Sequence, residues 1–130
     1  MKLESHKVTV DQSAEYLFNA LLHVDNFEKL MPETVVKFEV LDDKTFNFGL
    51  KGLPEIKLRM KDQVAYSKVI LGAASDKLPF TLTSELNALT ENSTEVYLHF
   101  DGEFNAMMAM MIKGPISKLI ESFANNMHKL

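Results

Sequence analysis

The sequence predicts an α+β fold in which a curved antiparallel sheet of about seven strands wraps around a long C-terminal helix, with two short helices after the first strand. Between residues 36 and 104, apolar and polar residues alternate in segments separated by turn residues, as in antiparallel strands with one covered face. From residue 105 to residue 130, apolar residues recur at steps of three and four, which places them on one face of a helix. This helix has the apolar face that such a sheet needs as a cover.

The N-terminal segment is predicted to hold one strand and two helices. Residues 2–10 alternate and end in valines, which favours a strand. Ser13 is a suitable N-cap because its hydroxyl oxygen can accept a hydrogen bond from a first-turn amide. The apolar positions of the helix after it are Ala14, Leu17, Phe18 and Leu21. Asp25 can cap a second short helix, which carries apolar residues before Pro32 ends it.

The strands that follow each carry apolar residues on one side. The residues expected on the covered side are Val36, Phe38, Val40, Phe46, Phe48, Leu50, Ile56, Leu58, Met60, Phe80, Leu82, Leu86, Ala88, Val96, Leu98, Phe100 and Phe104. A weaker strand is expected over residues 68–73. Turns are expected at 42–44, 52–54, 74–77 and 91–93, where glycine, proline, asparagine, aspartate and serine cluster.

The closing helix is predicted to begin after Asn105, whose side-chain oxygen can cap the first turn. Pro115 cannot donate a backbone hydrogen bond to the carbonyl of Met111, so a kink or a short break is expected there. The methionines of the first half surround the helix instead of lining one side; they are Met107, Met108, Met110 and Met111. They either fill gaps in the core or line an adaptable cavity, since thioether side chains are flexible.

A hydrophobic cavity is the expected consequence of this arrangement. Consecutive twisted strands curl, so the covered side becomes concave, and one helix does not fill the hollow. The residues expected to contact a ligand there are His6, Phe38, Phe48, Met60, Asp62, Phe80, Leu82, Ser84, Phe100, Met108, Met111 and Ile112. Strand alternation from Val8, Met60 and Leu82 places His6, Asp62 and Ser84 inside as polar exceptions. The alternatives are that His6 is exposed, Asp62 lies at a bulge and Ser84 bonds the backbone.

Composition narrows the function classes. The 130 residues predict a single domain over 1–130. A net charge of −4 without a Lys/Arg cluster argues against nucleic acid. The absence of cysteine excludes disulfides and thiolate chemistry, and the four histidines lack metal-ligand spacing, so neither a cofactor nor a metal is expected. No signal peptide and no long apolar run are found, which predicts a cytoplasmic protein without a membrane span.

The order of elements, with residues 1–5, 24–32, 51–54 and the Phe104–Pro115 stretch, resembles the START-like superfamily of polyketide cyclase/dehydrase and lipid-transport proteins. The resemblance runs the full length and implies the helix-grip fold. That superfamily includes lipid carriers, hormone receptors, ubiquinone-binding proteins, aromatase/cyclases and chaperone co-activators. Its sites do not form a fixed motif, so the resemblance carries over no catalytic residue.

Three hypotheses for function follow. The first is non-enzymatic binding or transport of a small hydrophobic molecule, such as a lipid, an isoprenoid or an aromatic compound. The second is an enzyme like the polyketide aromatase/cyclases, which requires at least two of His6, Asp62, Ser84 and Tyr66 to converge in the cavity. The third is a protein-interaction module without a ligand. The expected oligomeric state is a monomer or a weak homodimer.

Overall fold

The computed structural model describes residues 1–74 and 79–130, and it confirms the predicted α+β arrangement. The strands are β1 Lys2–Glu4, β2 Val8–Val10, β3 Val35–Asp42, β4 Thr45–Leu50, β5 Ile56–Val64, β6 Lys68–Ala73, β7 Phe80–Thr90 and β8 Ser93–Gly102. The helices are α1 Ala14–Leu21, a 3₁₀ helix Val24–Leu30, α2 Ala106–Asn126 and a 3₁₀ turn Met127–Lys129. The strands form one antiparallel sheet in the order β1-β8-β7-β6-β5-β4-β3, and β2 also pairs with β8. Among the described residues, no helix is long and apolar enough to cross a membrane.

Helix α1 forms as predicted. The Ser13 side chain accepts a hydrogen bond from the Tyr16 amide at 3.0 Å, and the four predicted apolar positions are all buried. The cap predicted for the second helix is wrong. The 3₁₀ helix begins after His23, no side chain caps it, and Asp25 lies inside its first turn.

The first predicted strand is two strands separated by a bulge. Glu4 pairs with His99 and Val8 pairs with Val96, so three residues of the first segment lie opposite two residues of β8. The extra residue reverses the alternation between β1 and β2. Ser5 therefore faces inward and exchanges hydrogen bonds with Leu98, while His6 is exposed.

Strand β3 lies at an edge of the sheet, and two of its predicted core residues are exposed. Val36 is 70% exposed and Val40 is also largely exposed, whereas Phe38 packs against Phe46. Val36 is the extra residue of a register shift between Val35 and Lys37, and its side chain lies near Gly49 on the outer face. Val40 keeps the predicted side, but alternation does not show whether a helix reaches the edge strand. Ala88 is exposed as well, because the last four residues of β7 extend beyond the covered part of the sheet.

Helix α2 begins where it was predicted to begin, but it is continuous where a kink or a short break was expected. The Asn105 side chain accepts a hydrogen bond from the Met108 amide at 2.8 Å. The helix is continuous from Ala106 to Asn126 and includes Pro115, so the predicted short break is not found. The predicted turn at 74–77 lies, after Ala74, outside the described residues.

The second half of α2 fills one end of the molecule. Phe123 packs against Phe27 of the 3₁₀ helix, and Phe27 stacks on Phe46 of β4, with ring centroids 5.7 Å and 5.0 Å apart. Ser122 donates its hydroxyl to the Leu30 carbonyl at 2.9 Å. These contacts join the helix, the 3₁₀ segment and the sheet into a densely packed core.

The two halves of α2 are expected to contribute unequally to stability. Phe123→Ala should lower the free energy of unfolding by about 3–5 kcal/mol, because it empties a fully buried aromatic site. Met110→Ala should change it by less than about 0.5 kcal/mol, because Met110 is 83% exposed. Urea denaturation of both variants measures the difference. Equal losses would show that the first half is packed as tightly as the second.

Candidate hydrophobic ligand site

A partly open apolar space lies between the first half of α2 and the opposite end of the sheet. It is bounded by the β4–β5 loop, the start of β7, the end of β8 and α2. Its lining residues are Leu53, Pro54, Ile56, Phe80, Phe100, Phe104, Met108, Met111, Ile112 and Ile116. None of these side chains is charged, so the space offers a ligand only hydrophobic contacts from side chains.

Three phenylalanines form one wall of the space. The rings of Phe80 and Phe100 are 5.0 Å apart, and those of Phe100 and Phe104 are 6.0 Å apart and nearly parallel. Gly102 allows this packing. A Cβ at that position would lie 2.6 Å from the Phe104 ring and 2.8 Å from the Phe80 Cβ. The glycine therefore matters here for the room it leaves between two lining residues.

The first half of α2 covers the space loosely. Ile112 is its only buried residue before Ile116, whereas Met107, Met110 and Met111 are 82%, 83% and 50% exposed. Each methionine has flexible torsions and a polarizable sulfur, so it can change rotamer at low cost. This half of the helix is therefore the part of the enclosure that can move most easily.

The space is much smaller than a ligand-binding cavity. Its volume is about 40 Å³, enough for a few water molecules, whereas pockets for drug-sized ligands have volumes of roughly 300–1,000 Å³. The hollow predicted from the sequence is largely filled by the aromatic cluster around Phe27 at the other end of the sheet. A ligand would need the first half of α2 to move outward.

Two larger grooves lie on the outside of the molecule. One groove has a volume of about 750 Å³ and lies on the outer face of the sheet across β5 to β8. Its lining includes Arg59, Lys61, Asp101 and Glu103. The other, of about 620 Å³, lies between the segment after the 3₁₀ helix and the solvent side of α2. Both are open, and in both charged and polar side chains are mixed with apolar ones. The apolar space is the better candidate because three phenylalanine side chains line it and no charged side chain does.

Comparison with solved structures identifies the architecture. The chain superposes on the Zhui aromatase/cyclase from Streptomyces sp. R1128 with a TM-score of 0.75 at 13% identity, covering 99% of this chain and 92% of that one. Norcoclaurine synthase from Thalictrum flavum gives a TM-score of 0.73 at 10% identity, covering 99% and 94%. A START superfamily protein from Mycobacterium smegmatis gives 0.69 at 10% identity, covering 98% and 97%. The chain has the START-like, helix-grip fold.

These likenesses establish the helix-grip fold alone, because every identity is far below the level at which function is shared. The sequence matches no protein-family model, and it has no significant match among curated protein sequences. A function for this chain therefore has to be inferred from its own residues.

Five of the residues predicted as ligand contacts line the apolar space. They are Phe80, Phe100, Met108, Met111 and Ile112. The other lining residues were not predicted as contacts; they are Leu53, Pro54, Ile56, Phe104 and Ile116. Leu53 and Pro54 lie in a loop, where no periodicity indicates which side chain points inward. Ile56, Phe104 and Ile116 have the expected inward orientation but carry no chemical feature that separates them from ordinary core residues.

Four other predicted contact residues lie away from the space. Phe48 and Leu82 are fully packed core residues, and Phe38 stacks on Phe46 near the β3 edge. Met60 is only partly buried and borders the outer groove beside Arg59.

The inward orientation predicted for two of the three polar residues is wrong. His6 is exposed because of the bulge between β1 and β2, and its ring nitrogen contacts the carboxylate of Glu121 on α2. Asp62 is exposed because β5 has its own bulge: Met60 pairs with Leu71 but Asp62 pairs with Ile70. Its carboxylate accepts a hydrogen bond from the next backbone amide.

Ser84 is the one polar residue of the three that is buried, and it lies opposite Leu98 in the β7–β8 ladder. Tyr66 is largely exposed in the β5–β6 turn and contacts the ring of Phe18. None of His6, Asp62, Ser84 and Tyr66 lines the apolar space, so the convergence that the aromatase/cyclase hypothesis requires is not found. Among the described residues, no three histidine, aspartate or glutamate side chains are placed to hold a metal ion.

The charged groups with shifted pKa values lie near the β3–β5 edge, away from the apolar space. The pKa of Glu55 is lowered chiefly because Lys37 donates a hydrogen bond to it at 2.8 Å, and the same contact raises the pKa of Lys37. The pKa of Asp42 is lowered chiefly because its carboxylate accepts a hydrogen bond from the Lys44 amide at 2.9 Å. The first contact joins β3 to the β4–β5 loop, and the second lies in the β3–β4 turn, both at the surface.

Gly102→Ala should disturb the aromatic wall. The added methyl group meets the Phe80 Cβ, which cannot move by a simple rotamer change, so we expect a loss of about 1–3 kcal/mol in the free energy of unfolding. Gly114→Ala is the matched control: apart from its chain neighbours nothing lies within 4 Å of its Cβ, and the position is helical. The helical preference of alanine is opposed by the contact of its Cβ with the Pro115 ring, so stability should change by less than about 1 kcal/mol. Thermal unfolding of both variants measures the effects. A neutral Gly102→Ala would contradict the close packing described here.

Proposed function

We propose that the protein binds a small, uncharged hydrophobic molecule between the phenylalanine wall and the first half of α2. The single observation that supports this most strongly is the loose cover of an entirely apolar space. One side of it is a rigid sheet with stacked aromatic rings, and the other is a helix segment with exposed methionines. A helix segment with exposed methionines is not needed to pack the hydrophobic core.

Binding in this position requires the space to expand, and the structure favours expansion on one side. Moving the first half of α2 exposes one buried side chain of the helix, that of Ile112, and the partly buried Met108, at a cost of at least roughly 1.5–3 kcal/mol. Moving the second half would expose five buried residues, at several times that cost; they are Ile116, Leu119, Ile120, Phe123 and Ala124. An apolar ligand offsets the smaller cost by covering the same surface again.

The lining selects the chemical class of the ligand. A charged group in this space would lose its hydration without gaining a partner, since no charged side chain lines it. Planar or flexible apolar molecules fit the stacked Phe100 and Phe104 rings, while the methionines adapt to their outlines. An aromatic compound, or a short lipid or isoprenoid segment, satisfies these conditions.

Binding can be tested with N-phenylnaphthylamine, an uncharged aromatic probe whose fluorescence rises in apolar surroundings. Met108→Trp places a bulky ring in the space and should weaken probe binding by at least about tenfold. Met107→Trp introduces the same ring one residue earlier on an exposed position, and it should leave the affinity within about twofold. Fluorescence titration of the wild type and both variants gives the three dissociation constants.

The proposal fails if the wild-type protein does not bind the probe, or if both tryptophan variants weaken binding equally. The second result would place the probe on the outer surface of the helix. Unfolding curves for the two variants show whether each remains folded under the titration conditions.

A further inference from the structure

Strand β3 forms one end of the sheet, and within residues 1–74 and 79–130 no strand lies along its outer side. An exposed edge of this kind presents backbone N–H and C=O groups that can pair with another chain. The edge also carries exposed apolar side chains, those of Val36, Val40 and Leu41. Edge strands that must remain unpaired are commonly protected by charges at such positions, and here the exposed positions include three aliphatic residues.

We propose that β3 pairs antiparallel with β3 of a second copy of this chain, with the two-fold axis at Phe38. In this register Lys37 lies opposite Glu39 of the second copy, and Glu39 lies opposite its Lys37. Opposite charges at facing positions stabilise an antiparallel ladder. The interface is isologous, as in most homodimers.

Neighbouring registers lack this complementarity. An axis at Lys37 places two lysines opposite each other, and an axis at Glu39 places two glutamates opposite each other, which is destabilising. An axis at Val40 places Glu39 opposite Leu41 and Phe38 opposite Asp42. The charge pattern of the strand therefore selects a single register.

The contacts that Lys37 and Glu39 make within one chain are compatible with this pairing. Lys37 contacts Glu55 of its own chain at 2.8 Å, while the salt bridges found among the described residues include none to Glu39. Both side chains are exposed. Pairing with a second copy would give Glu39 a cationic partner, and each Lys37 would then lie between Glu55 of its own chain and Glu39 of the other.

The geometry of the edge limits the strength of the association. Register shifts between Val35 and Lys37 and between Val40 and Asp42 leave Lys37–Val40 as the regular part of the strand. A pairing over so short a stretch buries less than the roughly 1,200–2,000 Å² of a stable interface. We therefore expect a reversible dimer that forms at high micromolar concentration.

Sedimentation equilibrium from about 1 µM to about 1 mM measures the association. The wild type should move from the 14.7 kDa monomer towards twice that mass, and about 1 M salt should shift the transition to higher concentration. Lys37→Glu and Glu39→Lys should each weaken self-association at least about tenfold, because each places like charges opposite each other. An equimolar mixture of the two variants should associate again, because opposite charges then face each other across the interface.

Leu89→Lys is the matched control, since Leu89 is an exposed apolar residue at the end of β7, away from this edge; it should associate like the wild type. The proposal is overturned if the wild type remains monomeric throughout the range. It is also overturned if it dimerises but the charge variants have no effect, or if the mixture does not recover association.

Discussion

The fold depends on one requirement: the apolar face of an antiparallel sheet must be removed from water, and the chain after the sheet supplies most of the cover. Helix α2 meets this requirement unequally along its length. Its second half contacts the 3₁₀ helix and buries five apolar residues, with Phe27 and Phe123 filling the hollow of the sheet. Its first half buries Ile112 and leaves three methionines largely in solvent. The stability of the domain and its capacity to adapt therefore lie at opposite ends of the same helix.

This division explains how a nearly filled interior is compatible with ligand binding. The space of about 40 Å³ marks where packing is incomplete, and the wall behind it consists of phenylalanines held by the β7–β8 ladder. A ligand that displaces the loosely packed half of α2 keeps the packed half as a hinge and anchor. The exposed β3 edge is a separate surface, and no residue of that strand lines the apolar space.

The local features of the fold could be predicted from sequence, because capping and alternation depend on neighbours in the chain. Ser13 and Asn105 cap their helices as predicted, and the strand over 68–73 has the predicted bounds. The orientations of His6 and Asp62 could not be predicted, because a bulge adds one residue and reverses every later side chain in the strand. The cavity size depends on how Phe27 fits between Phe46 and Phe123, which periodicity does not encode.

The most direct measurement is hydrogen exchange of the backbone amides of α2, with and without N-phenylnaphthylamine. If the first half is a movable cover, residues 109–113 should exchange through local opening, faster than residues 119–126, and the probe should slow their exchange selectively. Uniform slow exchange along the whole helix, unchanged by the probe, would contradict the proposal that an apolar ligand enters beneath this segment.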